Sequence, residues 1–393
     1  MKQNTQVAVI GAGPAGLTLS LLLHRAGIQC VILENRSREY VEARVRAGLL
    51  EQNTVDLYNE LGVADRLNFE GLNHHGVWIS FDGKRQHIPF DELTGGRTIT
   101  IYGQQEVIKD LIRANLERGI PIQFEAAATR IENIESDAPS IYYQQNGEEQ
   151  ILQCEFIAAC DGYHGIGRKS LPKDSYNEYV KEYPFSWLGI LVHAKPATNE
   201  LIYAYHERGF ALHSLRSDKV SRLYLQVSND DKAENWTDER IWSELEARLS
   251  DSNGFTLNRG QIFEKAITPM RSFMIDHMQH GRLYLAGDAA HIVPPTGGKG
   301  LNLAVADVKW LAAALKDWYQ KGACDLLSAY SFNCLRRIWR AQDFSNFMTY
   351  LFHKQAPHGS FEYHLQKSRF NYIGQSRAQA TTIAENYVGL KEV

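Results

Sequence analysis

The sequence predicts an α/β fold in which a parallel strand–helix–strand unit is interleaved with a mainly antiparallel β-sheet domain and followed by C-terminal helices. An apolar strand, a glycine-rich turn and a helix follow one another near the start of the chain. From Tyr183 to about Phe273, short alternating segments separated by turn residues replace this pattern, and helical periodicity dominates after Gly300. No low-complexity linker or short repeat separates these parts, so we expect the domains to be interleaved along the chain.

A Gly-x-Gly-x-x-Gly sequence, Gly11–Gly16, follows the apolar strand Val7–Ile10 and opens a helix that ends at Gly27. A second apolar run, Cys30–Leu33, ends at Glu34, which lies 23 residues after the first glycine. This order is typical of a Rossmann-like unit, in which the helix N-terminus presents free N–H groups and a partial positive charge to a pyrophosphate.

Each position of this motif has a chemical reason. Gly11 permits the tight turn, Gly13 lets the backbone approach a pyrophosphate, and Gly16 lets the helix pack against the strand. Glu34 would accept hydrogen bonds from an adenosine ribose, and its charge would repel a 2′-phosphate. The motif therefore predicts FAD or NAD rather than NADP, without choosing between the two; the alternative is a turn with only a structural role.

The bulk composition excludes several classes of function. Apolar residues make up 44% of the 393 residues, charged residues 22%, and the net charge of −4 gives no support to nucleic-acid binding. The five cysteines form no C-x-x-C pair, which favours buried thiols in a reducing compartment over a disulfide or metal framework. No apolar run is long enough to cross a membrane. We expect a cytoplasmic protein with no metal site.

Two further apolar strands end in an acid beside a glycine. Asp161 follows the run Phe156–Cys160, and Asp288 follows the run that ends at Gly287. A carboxylate at such a strand end can accept hydrogen bonds from a polyhydroxyl chain such as ribityl. A glycine-rich turn then opens a helix at Leu301, which would stabilise a reduced flavin anion. Each of these segments alone is compatible with an ordinary turn or helix cap.

Together the three glycine-containing segments resemble the single-component flavoprotein aromatic hydroxylases. Members of that family carry the same three motifs in the same order. Further matching segments extend the resemblance over essentially the whole chain: Arg44–Gly48, Tyr102–Gln104, Asp288–Asn302 and Ile383–Leu390.

The resemblance implies an FAD-binding site and decides between the two nucleotides that the first motif allows. Arginines that follow a mononucleotide-binding unit are suited to phosphates, although two such residues on a loop are more often only solvated. The implied FAD-binding positions are Gly11, Gly13, Ala15, Gly16, Glu34, Arg44, Val45, Arg46, Ala47, Gly48, Leu49, Gln104, Asp161, Asp288, Leu301 and Asn302.

A substrate site is predicted from strand alternation. Ser214 and Arg216 lie two residues apart on the strand Phe210–Arg216 and so share a face, and Tyr224 lies on the next strand. These three side chains could bind an aromatic carboxylate, with Arg216 making a bidentate contact. The alternative is that they are ordinary exposed residues. The resemblance implies the same three positions, and it adds contacts from Leu215 and from the carbonyl of Pro295.

A proton relay is also implied by the resemblance. Tyr203 faces the substrate hydroxyl, Tyr387 is its partner, and His74 lies at the outer end. Such a chain makes chemical sense because oxygen transfer to an aromatic ring needs a phenolate, and hydroxyl groups can move the proton outward. Each tyrosine alone would more often be a packed core residue.

No second glycine-rich strand–helix unit is present, so the nicotinamide nucleotide is expected to dock transiently in a groove. The resemblance suggests NADPH as co-substrate, with NADH left open because Asn35 stands where relatives often have a basic residue. The candidate groove residues are Arg36, Arg38, Tyr40, Arg44, His164, Arg168 and Arg271.

The function expected from the resemblance is FAD-dependent hydroxylation of 4-hydroxybenzoate at C3, with O₂ and NAD(P)H, through a flavin C4a-hydroperoxide. Another phenolic acid as substrate, or a non-catalytic protein with an FAD-type fold, are the alternatives. A homodimer is expected. The predicted FAD-binding domain comprises 1–72, 97–180 and 274–345, the β-sheet substrate domain comprises 73–96 and 181–273, and 346–393 form a C-terminal helical region.

Overall fold

The computed structural model describes residues 2–45 and 48–390. The helices are α1 (Pro14–Arg25), α2 (Arg38–Ala43), α3 (Gln52–Glu60), α4 (Asp65–Glu70), α5 (Phe90–Thr94), α6 (Gln104–Glu117), α7 (Asp238–Leu249), α8 (Gly300–Lys321), α9 (Asp325–Ser328), α10 (Tyr330–Phe352), α11 (Phe361–Gln375) and α12 (Arg377–Val388).

The strands are β1 (Lys2–Asn4), β2 (Val7–Ile10), β3 (Cys30–Leu33), β4 (Leu49–Glu51), β5 (Leu72–His74), β6 (Gly76–Phe81), β7 (Lys84–Pro89), β8 (Ile99–Ile101), β9 (Ile122–Gln123), β10 (Ala127–Glu132), β11 (Ser140–Gln145), β12 (Glu148–Gln153), β13 (Phe156–Ala159), β14 (Glu178–His193), β15 (Ile202–Tyr205), β16 (Ala211–Leu215), β17 (Ser221–Val227), β18 (Gln261–Ile275), β19 (Gln279–His280), β20 (Leu283–Leu285) and β21 (His291–Ile292).

A six-stranded sheet in the order β19-β20-β13-β2-β3-β9 forms the nucleotide-binding half of the molecule. Strands β20, β13, β2, β3 and β9 run parallel. Strand β2 is buried along its whole length, and α1 packs against it with an almost entirely apolar buried face. Strands of a parallel sheet that is covered by helices are buried on both faces. Polar and apolar residues therefore do not alternate along such strands, and the sequence shows continuous apolar runs.

An eight-stranded sheet in the order β21-β18-β14-β17-β16-β15-β6-β7 forms the other half. Its neighbours are antiparallel except for β15 and β6, which run parallel. One face packs on α7 through an apolar cluster, and the opposite face packs on the C-terminal helices. Successive side chains along each strand point to opposite faces of the sheet, so they pack alternately against the two different layers.

The predicted α/β class, the mainly antiparallel second sheet and the C-terminal helices are confirmed. The sequence pattern predicts a strand over Ser221–Val227 and a helix over Asp238–Leu249, and β17 and α7 have these bounds. The first helix is predicted from Leu17, but α1 begins three residues earlier, at Pro14. The eight-stranded sheet contains strands from both predicted segments of the substrate domain, 73–96 and 181–273, and also includes β21. The division into domains stays a prediction. None of the described helices is long and apolar enough to span a membrane.

Candidate active site

The predicted nucleotide-binding acids and glycines converge at one edge of the parallel sheet. Strands β2, β3, β13 and β20 are neighbours and run in the same direction. Gly11, Glu34, Asp161 and Asp288 each follow the carboxyl end of one of these strands. Ligands of open α/β sheets bind at this edge, in the crevice outside the strand ends.

The glycine-rich turn has the geometry that each glycine was expected to allow. Gly11 has φ +101°, and a Cβ there would lie 2.4 Å from the carbonyl oxygen of Cys160. A Cβ on Gly16 would lie 2.1 Å from the carbonyl oxygen of Gly11, so only glycine lets α1 approach this closely. A Cβ on Gly13 would meet no atom within 4 Å, which leaves the approach to the N-terminus of α1 open.

Glu34 is buried and bonds to the backbone of its own site. Its Oε2 accepts a hydrogen bond from Ala12 N at 2.8 Å, and its Oε1 accepts one from Arg36 N at 2.9 Å. These contacts fix the carboxylate beside the glycine-rich turn. Each oxygen keeps a second acceptor position, so a ribose contact remains compatible with this arrangement.

Asp161 closes a tight turn on the neighbouring strand. Its Oδ2 accepts from Gly167 N at 2.8 Å, whereas Oδ1 is buried without a hydrogen-bond partner among the described residues. Burial raises the pKa of this carboxyl, against the opposing effect of the backbone hydrogen bonds. A buried acceptor without a partner carries a desolvation cost that a ligand hydroxyl could offset.

A buried ion pair between Asp307 and His291 stabilises the turn that carries Asp288. Asp307, on α8, accepts from Gly287 N at 2.9 Å and lies 2.6 Å from His291 Nε2. Burial lowers the pKa of the His291 imidazole, but the Asp307 carboxylate outweighs this effect, and the net shift is upward. This pair fixes the start of α8 relative to the strand end that precedes Asp288.

The N-terminus of α8 lacks a side-chain cap, so its first N–H groups are available to a ligand. The side chain of Asn302 is fully engaged elsewhere. Its Nδ2 donates to the carbonyls of Leu49 and Gly298, and its Oδ1 accepts from Glu51 N and from the Thr54 hydroxyl. Any contact of Asn302 with a cofactor would therefore be made by its backbone.

A buried ionic network supports the same helix terminus. Lys299 Nζ lies 2.8 Å from Glu51 Oε1, and Arg337 Nη2 lies 2.6 Å from Glu51 Oε2. Lys299 also donates to the backbone carbonyls of Asn386 and Tyr387. Burial raises the pKa of Glu51, but the two cations outweigh this effect and hold it below its usual value.

The remaining predicted FAD-binding residues lie around β4 and α6. A Cβ on Gly48 would lie 1.8 Å from Tyr102 O, which explains the glycine there. Gln104 begins α6 and is buried. Arg44 and Val45 lie exposed after α2, and the predicted residues Arg46 and Ala47 lie outside the described residues.

These features fit FAD. Two helix N-termini without side-chain caps, those of α1 and α8, offer N–H groups for a pyrophosphate and for a flavin ring. The strand-end acids between them offer acceptors for hydroxyl groups. The individual FAD contacts of these residues remain predictions.

The predicted substrate residues lie on neighbouring strands of the eight-stranded sheet. In the pairing of β16 with β17, Ser214 lies opposite Arg222 and Leu212 lies opposite Tyr224. Leu215 is buried at the end of β16, and Arg216 follows in a turn closed by its N–H to Val220 O at 3.0 Å. Ser214 and Tyr224 thus share the face that packs towards the C-terminal helices.

Two arginines make this region strongly cationic. Burial lowers the pKa of Arg216 to about 10, and the neighbouring Arg222 acts in the same direction, so Arg216 stays charged at neutral pH. Arg222 lies over the Tyr224 ring at 5.1 Å, and its Nε and Nη1 are buried without a hydrogen-bond partner among the described residues. Two neighbouring, half-buried arginine side chains favour an anionic ligand.

The two predicted relay tyrosines are in direct contact. The Tyr387 hydroxyl donates to the Tyr203 hydroxyl at 2.6 Å, and Gly297 N donates to the same Tyr203 oxygen at 3.3 Å. Because the Tyr203 oxygen accepts both bonds, its own proton is directed to another acceptor. Burial raises the pKa of Tyr203 to about 12, and burial and the neighbouring Tyr203 raise the pKa of Tyr387 well above its usual value, so both are neutral hydroxyls at physiological pH.

The other two predicted residues of this region are less directly placed. His74 is fully buried at the end of β5, and neither ring nitrogen has a hydrogen-bond partner among the described residues. Desolvation lowers its pKa to about 4, so the imidazole is neutral. Pro295 is exposed, and its carbonyl accepts from Gly298 N at 3.1 Å in the turn before α8. A link from His74 to the tyrosines remains a prediction.

The candidate nicotinamide residues fall into two groups on separate elements. Arg168 and Arg271 lie against the Tyr163 ring, at 4.6 Å and 3.9 Å from its centre, and His164 adjoins the same ring. Arg168 also donates to the carbonyls of Ala289 and Tyr163, so part of its role is structural. The second group lies at or near α2 and consists of Arg36, Arg38, Tyr40 and Arg44.

Within the second group, part of the basic charge is already paired. The guanidinium of Arg38 lies 2.7 Å from Glu42, one turn further along α2. Arg36 is exposed, and its guanidinium lies over the Tyr40 ring at 5.2 Å. Arg36 is therefore the stronger candidate of the two for a 2′-phosphate.

Sequence reasoning missed several residues that build this site. Glu51, Lys299 and Arg337 are far apart along the chain and carry no local motif. Asp307 could have been noticed, because it is the single acid in the otherwise apolar stretch 303–308 of α8. A lone buried acid in such a stretch needs a partner, which here is His291.

Comparison with known proteins agrees with this geometry. Residues 4–345 match the family model described as "FAD binding domain". The chain is 46% identical over 386 residues to a p-hydroxybenzoate hydroxylase of Acinetobacter baylyi, a match that covers 98% of this chain and 95% of that protein. It is 24% identical over 347 residues to the FAD-dependent monooxygenase terD of Aspergillus terreus, covering 80% and 55% of the two chains.

Solved structures share the fold at low sequence identity. The p-nitrophenol 4-monooxygenase PnpA of Pseudomonas putida DLL-E4 superposes with a TM-score of 0.85 at 18% identity, with all of both chains covered. An aklavinone-11 hydroxylase solved with FAD and aklavinone superposes with a TM-score of 0.73 at 19% identity, covering 89% of this chain and 69% of that one.

Proposed function

This chain belongs to the FAD-binding-domain family of flavoprotein aromatic hydroxylases and is an FAD-dependent aromatic monooxygenase, and on that premise we propose that its substrate is 4-hydroxybenzoate. The product is 3,4-dihydroxybenzoate, and the second oxygen atom of O₂ leaves as water, with NAD(P)H as the electron donor. The name of the Acinetobacter baylyi relative supports this substrate.

The observation that carries the proposal is the combination of two half-buried arginines and a pair of hydrogen-bonded hydroxyls on one sheet. Arg216 and Arg222 lie at the ends of β16 and β17 that meet in a turn, and Tyr203 lies on β15, the next strand. An aromatic acid with a carboxylate at one end and a hydroxyl at the other matches this distribution of charge and hydroxyl groups.

The protein's own groups bind, orient and deprotonate the substrate. Arg216 pairs with the carboxylate, and the hydroxyls of Ser214 and Tyr224 add neutral donors. The Tyr203 hydroxyl donates to the substrate oxygen, because its own oxygen already accepts from Tyr387 and Gly297. This donation stabilises the phenolate, whose electron-rich ortho carbon is the position that accepts oxygen. Bound FAD supplies the reduction of O₂ and the transfer of one oxygen atom.

Proton exit uses the same hydroxyls. Before the transfer, the substrate hydroxyl donates to Tyr203 and Tyr203 donates to Tyr387. A concerted shift of both protons away from the substrate leaves a phenolate that accepts from Tyr203, which in turn accepts from Tyr387. Neither tyrosine carries a full charge in this shift, and their raised pKa values disfavour the anionic forms. We assign the outer end to His74, whose imidazole is buried and neutral and has unused nitrogen atoms.

The nicotinamide nucleotide docks in a surface groove, with NADPH preferred. The cationic cluster around Tyr163, which contains Arg168, Arg271 and His164, supports a diphosphate-binding role. Arg36 supports recognition of the 2′-phosphate. Steady-state kinetics with NADPH and with NADH test this assignment in the wild type and in Arg36→Ala. If the ratio of kcat/KM for NADPH to kcat/KM for NADH is the same in both proteins, Arg36 does not recognise the 2′-phosphate.

The substrate assignment is tested by product analysis. Purified FAD-loaded protein is given NADPH, O₂ and either 4-hydroxybenzoate or its 2- or 3-hydroxy isomer, and both NADPH oxidation and product are quantified. We expect rapid, coupled formation of 3,4-dihydroxybenzoate from the 4-hydroxy isomer alone. A rate with 4-hydroxybenzoate no higher than that with the isomers would point to another phenolic acid.

A homodimer and a cytoplasmic location complete the proposal. Exposed aromatic side chains on the helical side, including Phe332, Trp339 and Phe361, support a second copy as partner. Buried free thiols such as Cys30 and Cys334 are compatible with a reducing compartment. Light scattering of the purified protein and fractionation of cells that express it are the corresponding tests.

A further inference from the structure

A histidine at the end of α10 is wholly buried behind the substrate region. His353 follows the last residue of α10, and its backbone N–H donates to Thr349 O at 3.1 Å. Its imidazole lies between the rings of Phe185 and Phe210, with centre-to-centre distances of 4.5 Å and 4.3 Å. None of the assigned steps of the reaction uses this residue.

Hydrogen bonding fixes the tautomer of this imidazole. Trp187 Nε1 lies 2.6 Å from His353 Nε2, and an indole nitrogen can only donate, so Nε2 carries no proton. The proton is therefore on Nδ1, which donates to Thr349 O at 2.8 Å. Burial lowers the pKa of His353 to about 3, in agreement with a neutral ring.

One branch from His353 leads to the side of the site that carries Tyr224. Trp187, held by His353, lies 4.8 Å from the Tyr224 ring, centre to centre. Phe210, which stacks on the imidazole, lies 6.0 Å from the Tyr203 ring. The two aromatic neighbours of His353 thus support both proposed substrate-contacting tyrosines.

The other branch leads to the loop before α8. The Thr349 and Thr296 hydroxyls lie 2.9 Å apart, and both side chains are buried. Because Thr349 gives its one hydroxyl proton to Ser345 O at 2.7 Å, Thr296 is the donor in this contact. Thr296 directly precedes Gly297, whose N–H donates to the Tyr203 hydroxyl. The end of α10 is therefore connected by hydrogen bonds to the group that orients the Tyr203 oxygen.

We infer that His353 is a positioning residue, which sets the relative placement of Tyr224 and Tyr203 by holding Trp187 on one side and Thr349 on the other. This role rests on the proposed substrate site and concerns residues that do not touch the substrate. In this role, α10 fixes the position of the carboxylate-binding side of the substrate site relative to its hydroxyl-binding side.

Substitutions that remove polar contacts of His353 or of its neighbours test this role. His353→Phe keeps an aromatic ring in the stack and loses both polar contacts. Trp187→Phe keeps one aromatic ring but removes the indole N–H together with the rest of the five-membered ring, and Thr349→Val removes only the hydroxyl. His353→Gln, with an acceptor and a donor at the end of its side chain, is the conservative variant that should restore part of the function. Ser345→Ala, on the same buried face of α10, is the matched control, because its hydroxyl has no hydrogen-bond partner among the described residues.

The measurement is the dissociation constant of 4-hydroxybenzoate, obtained by titration into FAD-loaded protein while the flavin absorbance is recorded, together with the fraction of NADPH oxidation that yields product. We expect His353→Phe and Trp187→Phe to weaken binding by about fivefold to tenfold, the size of effect that the loss of buried hydrogen bonds produces, and to lower coupling. FAD affinity and the rate of flavin reduction should stay at the wild-type value, and Ser345→Ala should change neither quantity.

The inference is overturned if folded, FAD-loaded His353→Phe and Trp187→Phe bind 4-hydroxybenzoate and couple its hydroxylation as the wild type does. It is also overturned if Ser345→Ala has the same effect as these variants, since the effect would then be a general consequence of altering α10. If the wild type binds another hydroxybenzoate isomer instead, the proposed substrate is wrong. The dissociation constant and the coupling of each variant relative to the wild type, measured with that isomer, still test the role of His353.

Discussion

The hydroxyl of Tyr387, on the last helix, donates to the hydroxyl of Tyr203, in the middle of the eight-stranded sheet, at 2.6 Å. Tyr203→Phe leaves the carboxylate contacts of a substrate in place but removes the donor to its hydroxyl. We expect substrate binding within a few-fold of wild type and hydroxylation slowed by about 100-fold, the usual contribution of one positioned proton-transfer group. Flavin reduction by NADPH should continue, so the ratio of product to NADPH oxidised falls.

Tyr205→Phe is the matched control for this prediction. Tyr205 lies two residues further along β15 on the same face and is equally buried, and its hydroxyl has no hydrogen-bond partner among the described residues. Its loss should leave coupling unchanged. Full coupling in Tyr203→Phe would show that the hydroxyl pair plays no part in deprotonating the substrate.

Arg216→Lys keeps one positive charge and removes the planar two-donor group. A bidentate contact with a carboxylate cannot be reproduced by an ammonium group, so the KM for 4-hydroxybenzoate should rise by about tenfold or more. The maximal rate at saturating substrate should change less. Steady-state kinetics check this, with the exposed Arg130→Lys as control. An unchanged KM would remove Arg216 from the substrate site.

Local patterns in the sequence predicted the parts of the site that depend on short spacing. The turn at Gly11, the close approach at Gly16 and the placement of Ser214 and Tyr224 on neighbouring strands follow from backbone geometry, which neighbouring residues determine. The resemblance to known hydroxylases then supplied the pairing of Tyr203 with Tyr387, which no spacing rule gives.

The parts that could not be predicted depend on contacts between distant segments. The bonds of Glu51 with Lys299 and Arg337 join positions roughly 250 to 290 residues apart, and no local signal marks such a pair. The long strand β18 was missed because most of its length is exposed or half-buried and carries no clear apolar alternation. His353 gave no sign of its role, because its partners come from a different layer of the molecule.

Gly298→Ala should weaken the loop that precedes α8. Gly298 has φ +64°, in the left-handed region, and a Cβ there would lie 3.0 Å from Cβ and Cδ1 of Leu49. An alanine would combine backbone strain with this contact, at a cost on the order of 1–3 kcal/mol. We expect a lower melting temperature and a higher dissociation constant for FAD, measured by flavin fluorescence.

Gly322→Ala separates the two causes. Gly322 caps α8 with φ +69°, but a Cβ there would meet nothing within 4 Å. This variant should lose stability through strain alone and should bind FAD like the wild type. Equal FAD affinity in Gly298→Ala would mean that the loop tolerates a shift at Leu49 without disturbing the cofactor site.

Stability should fall steeply in mild acid because of three buried neutral histidines. Desolvation lowers the pKa values of His74 and His213 to about 4 and that of His353 to about 3. An unfolded histidine titrates near about 6.5. Between these values the unfolded chain binds more protons than the folded one, so stability rises with pH and is lost on acidification. Each histidine should contribute about 1.4 kcal/mol per pH unit between about pH 6.5 and about pH 4.

His291 has the opposite effect on the pH dependence of stability, because Asp307 raises its pKa. Its contribution to the free energy of unfolding is fully present below about pH 6.5 and is lost as the pH rises above that value. Between about pH 6.5 and about pH 5, above the range in which carboxylates titrate, the slope therefore reports mainly the buried neutral histidines. Denaturant unfolding at a series of pH values measures the slope, and His213→Gln, which replaces one titrating group by a neutral amide, should reduce it by about 1.4 kcal/mol per pH unit. An unchanged slope in that variant would mean that His213 is protonated in the folded protein, because only a histidine that stays neutral when folded takes up a proton on unfolding in this range.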